Sequence, residues 1–169
     1  MTTALPDGFV WTSRPSDLAT VEDLAAAWLA HANAIYARYP ENYESLSDEE
    51  LDALELGPNP ADNTDNWEAV HTLSHEHPDH TLLFIRCVLD ARPRALVVAY
   101  LAAGPLEVVL GFHGPAVIDR VESWAREDPF FKSCLACVWQ FFMPDEIWFR
   151  VCRATSRPEI SMNDPEDDL

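Results

Sequence analysis

Apolar residues recur at helical spacing in the N-terminal part of the chain. Four of them stand four, seven and four residues apart: Leu24, Trp28, Ile35 and Tyr39. This spacing places them on one broad face of a helix. Pro40 is expected to end that helix, because proline has no N–H to donate to the next helical hydrogen bond.

Two further helices are predicted from the residues at their ends. Ser47 and Glu50 form a Ser-x-x-Glu capping box at the start of one helix, and Gly57 is its C-terminal stop. The other helix runs through the sequence NWEAVHTLSHEH. The His77-Pro78 step is expected to end it, because the residue before a proline avoids the helical conformation.

Prolines divide the rest of the chain at nearly regular intervals. From Pro78 to Pro144 they are separated by 15, 12, 10, 14 and 15 residues, with apolar segments of helical length between them. Proline suits the first turn of a helix and glycine suits its end, so Gly104-Pro105 and Gly114-Pro115 predict tight corners between helices. We therefore expect helices near residues 79–91, 94–103, 106–112, 116–127, 130–142 and 145–153.

These segments predict an all-α protein, a compact array of short antiparallel helices with Pro/Gly corners. The chain of 169 residues is long enough for one such domain with a substantial core. We expect an N-terminal extension at residues 1–15, a single helical domain at residues 16–154 and an acidic flexible tail at residues 155–169.

The charge of the chain is strongly one-signed. Eleven basic and 29 acidic residues give a net charge of −18, which disfavours nucleic acids and anionic membranes as ligands. Twelve of the acids lie between Tyr39 and Ile85, where there is neither Lys nor Arg. Such a segment is either a solvated face or a docking surface for a basic protein.

The cellular location is inferred from the start of the chain, its apolar stretches and its cysteines. The start has neither a charged region nor a long apolar core, so no signal peptide is expected. The longest apolar stretch is interrupted by Gly104, Pro105 and Glu107, which makes it a poor membrane span. The four cysteines lack the spacing of a secreted disulfide framework. We expect a cytoplasmic protein with reduced thiols and without a cofactor.

Glu107 is the one acidic residue between Ala95 and Ile118. If Gly104 is the N-cap of the following helix, Glu107 is its third residue and can accept the N-cap N–H. Alternatives are an ion pair with one of three nearby side chains, Arg120, Arg126 or His113, and a catalytic role as a general base. We favour the capping role and expect His113 at a helix C-terminus. The resulting structural corner comprises Gly104, Pro105, Glu107, His113 and Gly114.

A family resemblance is carried by residues between about 99 and 139. They are Gly104, Pro105, Leu106, Glu107, His113, Gly114, Ile118, Val121, Glu122, Ala125, Asp128, Pro129, Phe131, Leu135, Val138 and Trp139. In this order they match an Ala-Gly-Pro-Leu-Glu corner, a His-Gly corner, an Ile-x-x-Ile/Val-Glu-x-x-Ala helix, an Asp-Pro-x-Phe step and a Leu-x-x-Val-Trp end. The segment resembles a family of small bacterial proteins catalogued as a domain of unknown function. The resemblance implies a helical fold and supplies no reaction.

Four of the six histidines are close together in the sequence: His71, His75, His77 and His80. His71 and His75 lie one helical turn apart and could bind zinc or nickel, with Glu76 or Asp79 as further ligands. The His-Glu-x-x-His signature of many zinc enzymes is absent, and Pro78 separates His80 from the preceding helix. We therefore favour a solvated helix end over a metal site.

The cysteines and tryptophans are assigned mainly to the core. Cys134 and Cys137 form a Cys-x-x-Cys without a second pair, so we interpret them as small buried residues. Three tryptophans are placed in the core by their helical positions: Trp28, Trp124 and Trp139. Trp67 lies within the acidic stretch, where we favour half-buried packing and keep an exposed binding anchor as the alternative.

The sequence contains no recognisable nucleophile–base arrangement and no phosphate-binding glycine loop, which argues against an enzyme. It predicts a non-enzymatic acidic protein-binding module, for example an immunity protein or inhibitor that occludes a basic toxin or effector. The predicted partner-binding residues are Tyr43, Glu44, Asp48, Glu49, Glu50, Asp52, Glu55 and Trp67. Alternatives are a metal-dependent enzyme that uses the four clustered histidines, and a self-associating adaptor that forms a homodimer.

Overall fold

The computed structural model describes residues 2–7, 9, 19–40, 45–55 and 65–160, with the backbone alone at positions 52, 53, 55 and 65. Its helices are α1 (Val21–Tyr36), α2 (Asp48–Glu55), α3 (Asp65–Glu76), α4 (Pro78–Asp90), α5 (Ala95–Leu101), α6 (Glu107–Glu127), α7 (Pro129–Leu135) and α8 (Asp145–Thr155). A π-helical turn, Ala102–Leu106, joins α5 to α6. The described residues form no β-strand; Ala4 and Thr20 make an isolated bridge. The predicted all-α class is confirmed.

Two helices begin with reciprocal capping boxes. At α1, the Asp23 N–H donates to Thr20 Oγ1 and the Thr20 N–H donates to Asp23 Oδ2, both at 3.1 Å. At α2 the predicted box is confirmed, because the Ser47 N–H donates to Glu50 Oε2 at 2.9 Å and the Glu50 N–H donates to Ser47 Oγ at 3.4 Å. Each box satisfies N–H groups that the first turn of a helix leaves without an internal acceptor.

The path from α5 through the π turn to α6 consists of helical segments joined at two kinks. The backbone is non-helical at Gly104 (φ −119°, ψ −106°) and at His113 (φ −126°, ψ 17°), close to the two prolines. The two predicted corners coincide with these kinks. Apolar residues on both sides of each kink enter the same core. Local π turns and bends accommodate prolines in this way.

The run Ala95–Glu127 is long and apolar enough to cross a membrane by these two criteria alone. The expected interruption by Gly104 and Pro105 is present as a kink within this run. Half of its most apolar window is buried inside the protein. Membrane spans and the central helices of a helical core share these properties.

α6 is the element around which the C-terminal half is arranged. It packs against α3, α4, α7 and α8, and its buried residues include Val109, Leu110 and Val121. A charged network on the surface joins it to α8, since Arg150 lies 2.6 Å from Asp119 and 2.7 Å from Glu122. The position of α6 therefore determines where the segments before and after α8 are held.

α7 ends at Leu135, so the prediction of a helix that continues to residue 142 is wrong. Residues 136–144 follow an irregular path to α8, and we refer to them as the aromatic loop. The N–H groups of Cys137 and Val138 close a final turn on carbonyls three residues back. The next N–H, that of Trp139, donates to a carboxylate on α6, and the helical pattern ends there.

Gly114 lets α6 and α8 approach each other closely. A Cβ at this position would lie 2.8 Å from Ile147 Cγ1 and 2.9 Å from Ile147 Cγ2. Alanine normally stabilises a helix interior by about 0.5–1 kcal/mol relative to glycine. We expect the opposite sign here: Gly114→Ala lowers the free energy of unfolding by about 1–3 kcal/mol, measured by urea denaturation.

The double variant Gly114→Ala/Ile147→Ala tests whether overlap is the cause. Ile147→Ala removes both γ carbons, so it should cost less stability in the Gly114→Ala background than in the wild-type chain. Equal costs in the two backgrounds would contradict this explanation.

Candidate functional site

The aromatic loop alternates between buried and exposed residues. Its buried residues are Val138, Gln140 and Met143. Its aromatic residues are at least half exposed; they are Trp139, Phe141 and Phe142. The side-chain amide of Gln140 donates to the Met143 carbonyl at 3.3 Å and to Asp145 Oδ1 at 2.6 Å. The buried residues thus hold the backbone in place, and the loop presents its aromatic side chains from an ordered support.

Glu107 anchors this loop from α6. Its Oε1 accepts the backbone N–H of Trp139 at 2.6 Å, and the residue is only 6% exposed. The expected capping contact is wrong, because Gly104 lies inside the π turn and is not an N-cap. Two of the charged groups considered as partners bind elsewhere: Arg120 lies 2.6 Å from Asp79, and His113 Nε2 lies 2.7 Å from the His75 carbonyl.

Burial raises the pKa of the Glu107 carboxyl group, and the hydrogen bond from the Trp139 N–H acts in the opposite direction. One carboxylate oxygen is therefore committed to holding the loop. The geometry fits a positioning group better than a general base, which needs free access to the proton that it removes.

Phe142 combines high exposure with an unfavourable backbone conformation. It is 74% exposed, and its φ of 48° lies in the left-handed region that bulky side chains rarely adopt. Its ring centroid lies 4.5 Å from that of Phe141 in a T-shaped arrangement. The Phe141 carbonyl in turn lies close to α6, since a Cβ at Gly111 would be 2.9 Å from it. Strain and an exposed ring together indicate a role beyond folding.

A row of four contacting rings, which we call the stack, connects α3 to α6. Trp67 stacks on His71 with 4.8 Å between ring centroids. The row continues in tilted contacts, from His71 to His75 at 4.2 Å and from His75 to Phe112 at 4.5 Å. His75 Nδ1 also lies 2.8 Å from the His71 carbonyl oxygen, which fixes the ring. Burial, and then the neighbouring His75, lower the pKa of His71, which favours an uncharged ring in the stack.

We refer to the surface formed by this stack and the tip of the loop as the aromatic face. It consists of Trp67, His71, His75, Phe112, Phe141 and Phe142. A cleft of about 290 Å³ opens at its edge, where Trp67, His71 and Phe141 meet α1, α5 and the π turn. The face and the cleft together form the candidate binding site.

Within the described part of the chain, no group of three or more His, Cys, Asp or Glu is arranged to hold a metal ion. His71 and His75 pack ring against ring in the stack. His77 instead lies 5.9 Å from the ring of Phe9 and 6.0 Å from that of His80. Among the described residues, the alternative metal site of His71 and His75 therefore has no third ligand beside it.

Comparison with family models identifies the family of the chain. One model, described as Family of unknown function (DUF6869), matches residues 57–159, which is more than half of the chain. The chain belongs to this family. No curated protein and no solved structure matches it significantly. The expected relation to a domain of unknown function is thereby confirmed.

The DUF6869 match covers the whole aromatic face, whereas α1 and α2 lie before it. The predicted partner-binding residues are divided in the same way. Trp67 belongs to the face and is half exposed. Asp48, Glu49 and Glu50 are exposed on α2. Tyr43 and Glu44 lie outside the described residues, as do the side chains of Asp52 and Glu55.

Several assignments to the core need correction. Trp28 is buried as predicted and Trp124 is partly buried, but Trp139 is exposed, because α7 ends before it. For the same reason Cys137 is exposed, whereas Cys134 is buried. Sequence reasoning also missed Phe112, Phe141 and Phe142. The run WQFF before Pro144 was the available signal, since four bulky residues in succession cannot all face one core.

Substitution of Glu107 tests its role as the anchor of the aromatic loop. Glu107→Ala leaves the Trp139 N–H without its acceptor, which typically costs about 1–3 kcal/mol. We expect the free energy of unfolding to fall by about that amount in urea denaturation. Glu107→Gln keeps an oxygen acceptor in the same place and should retain most of the stability.

The difference in stability between the wild-type chain and Glu107→Gln should depend on pH. The pKa of Glu107 in the folded protein is raised above its usual 4.5, so the folded state takes up a proton at higher pH than the unfolded chain. Wild-type stability relative to Glu107→Gln should therefore rise as the pH falls through the folded pKa toward 4.5. A difference that stays constant from neutral to acid pH would contradict the raised pKa.

Phe142→Asn tests whether the exposed ring serves the fold. Asparagine tolerates the left-handed conformation, so we expect the free energy of unfolding to rise by about 0.5–1 kcal/mol. The corresponding rise in Tm is about 1–4 °C in a thermal melt. Phe112→Asn is the control, since Phe112 lies inside α6 and loses its ring contact without relief of strain. A lower Tm for Phe142→Asn would show that the ring stabilises the loop.

Proposed function

We propose that this protein is a non-enzymatic binding module that docks a basic protein on its aromatic face. The observation that carries the proposal is the loop that exposes Phe141 and Phe142 beside the rings of α3 while Glu107 holds its backbone. Contiguous exposed rings of this kind are typical of protein-binding sites, where aromatic anchors supply most of the affinity.

The net charge of −18 supports a basic partner. A field of this sign attracts cationic surfaces and raises the association rate, and it repels nucleic acids and anionic membranes. Two exposed acidic residues of α3 are sequence neighbours of residues of the face: Glu68 follows Trp67, and Glu76 follows His75. Those on α2, Asp48, Glu49 and Glu50, add to the long-range field.

Such a module would act by occlusion. An acidic protein that covers a cationic surface of a toxin or effector has the properties of an immunity protein or inhibitor, and we include that role and a cytoplasmic location in the proposal. The negative field would make association fast and sensitive to salt. The rings of the aromatic face would make dissociation slow.

The two alternatives have less support. A metal-dependent enzyme would need further ligands beside His71 and His75, whose rings are packed against each other and against Trp67. A homodimer through the aromatic face would bring two chains of net charge −18 together, which opposes association at low ionic strength. Charge therefore favours a basic partner over a second copy.

Capture with matched variants tests the proposal. The immobilised full-length chain is exposed to lysate of its source cells in low and then in high salt, and bound proteins are identified by mass spectrometry. We expect the wild-type chain to retain one basic protein at low salt. The variant Phe112→Ser/Phe142→Asn, which removes two rings of the face, should bind that protein at least about tenfold more weakly in calorimetry.

Ile160→Ser is the matched control, because Ile160 is also highly exposed but lies outside the aromatic face. It should bind the partner as tightly as the wild-type chain. Equal loss in the control and in the face variant, or a captured protein that is not basic, would contradict the proposal. A wild-type chain that is dimeric in solution and becomes monomeric in the face variant would support the homodimer instead.

A further inference from the structure

We infer that the cleft beside the aromatic face receives one aromatic side chain of the basic partner, flanked in that partner by Lys or Arg. This inference rests on the proposed function and specifies the chemistry of the group that enters the site. Three observations support it: the aromatic walls of the cleft, the volume of the cleft and the absence of acidic side chains among its described lining residues.

The walls of the cleft contain two stacked pairs of rings. Trp28 of α1 and Tyr100 of α5 are nearly parallel, with 5.3 Å between centroids and 9° between planes. Trp67 and His71 of α3 form the second pair, at 4.8 Å and 24°. All four line the cleft together with Phe141; Trp28 is only 2% exposed, so the other rings present most of the accessible aromatic surface. Aromatic rings favour contact with a further ring in offset-stacked or T-shaped geometry.

The bend in the central helical run forms one side of the cleft. Gly104 and Pro105 line it from the π turn, and a Cβ at Gly104 would meet no atom within 4 Å. Packing therefore does not exclude a side chain at Gly104, whereas it does at Gly111 and Gly114. The open space beside Gly104 is part of the cleft.

The size of the cleft fits one large side chain. Its volume of about 290 Å³ exceeds the roughly 150 Å³ of an apolar cavity that binds benzene. It is at the lower limit of the roughly 300–1,000 Å³ that drug-sized ligands occupy. A single phenyl, phenol or indole side chain matches this space better than an extended peptide segment.

The lining offers a cation no carboxylate. Neither Asp nor Glu is among the described residues that line the cleft, and the hydroxyl of Ser74 already donates to the Val70 carbonyl at 2.7 Å. A Lys or Arg side chain would lose its hydration there without a counter-ion and with only cation–π contacts to the rings in return. The partner's cations are better placed outside the cleft, in the negative field of the chain.

Short peptides test the inference directly on the full chain. The probes are Lys-Lys-Trp-Lys-Lys, Lys-Lys-Ala-Lys-Lys and pentalysine, all amidated, with N-acetyltryptophanamide as the free aromatic molecule. Affinity is measured by calorimetry, and the indole N–H signals of Trp28 and Trp67 are followed by NMR. We expect the Trp peptide to bind at least about tenfold more tightly than the other three and to shift both indole signals.

Two substitutions that fill the cleft provide the matched variants. Ala103→Leu adds a side chain at an exposed position of the lining, and Val108→Phe does so from α6. Each should reduce the preference for Trp over Ala to less than about twofold. Ala116→Leu is the control, because Ala116 is exposed on α6 and does not line the cleft. It should leave the preference unchanged.

Each outcome decides the inference. Equal binding of the Trp and Ala peptides, equal binding of pentalysine, or an unchanged preference in both filled variants would overturn it. N-acetyltryptophanamide that binds as tightly as the Trp peptide would assign the cleft to a free aromatic molecule and would overturn the role of the partner. Shifts confined to indole groups other than those of Trp28 and Trp67 would also overturn it.

Failure of this inference is distinguishable from failure of the proposed function. The capture experiment uses Phe112 and Phe142, which do not line the cleft. Capture that is lost in the face variant but retained in Ala103→Leu would leave docking intact and refute the role of the cleft. A selective Trp peptide with no basic protein captured would retain the cleft and refute the docking proposal.

Discussion

Close approach to α6 at two glycines is the constraint on which the rest of the site depends. A Cβ at Gly111 would lie only 2.9 Å from the carbonyl oxygen of Phe141. A Cβ at Gly114 would lie only 2.8 Å from Ile147 Cγ1. These two contacts, one turn apart, seat the aromatic loop and α8 on the same helix. A larger residue at either position would move both segments outward and widen the distance over which Glu107 must reach Trp139.

Glu107 shows how a buried carboxyl group on a helix can hold a neighbouring loop. A buried backbone N–H that follows the end of a helix has no helical acceptor and needs another one. The nearest residues of α6 are apolar, so a carboxylate that reaches up from the helix supplies the acceptor at 2.6 Å. Burial of this carboxylate opposes its ionisation. Burial of a carboxyl group in α6 is therefore the cost at which the loop above it is ordered.

The sequence pattern was sufficient for the all-α class and for the helices with clear end signals, such as α1, α4 and α8. At Gly104-Pro105 and Gly114-Pro115 it located the two kinks, but it did not predict the π turn at the first of them. It also failed at residues 136–144, where the conformation is fixed by contacts more than 20 residues away, above all that of Glu107 with Trp139. The acidic stretch and Trp67 were recognisable from composition, but the cleft was not, since it is assembled from α1, α3, α5, the π turn and the aromatic loop.

The aromatic loop assigns its two tasks to different residues. Val138, Gln140 and Met143 secure it from inside, while Trp139, Phe141 and Phe142 point to solvent. Changes at the outward positions therefore alter the exposed surface and leave the buried residues that hold the loop as they are. Under the proposed binding role, such a scaffold can acquire new specificities through a few substitutions while the fold beneath stays the same.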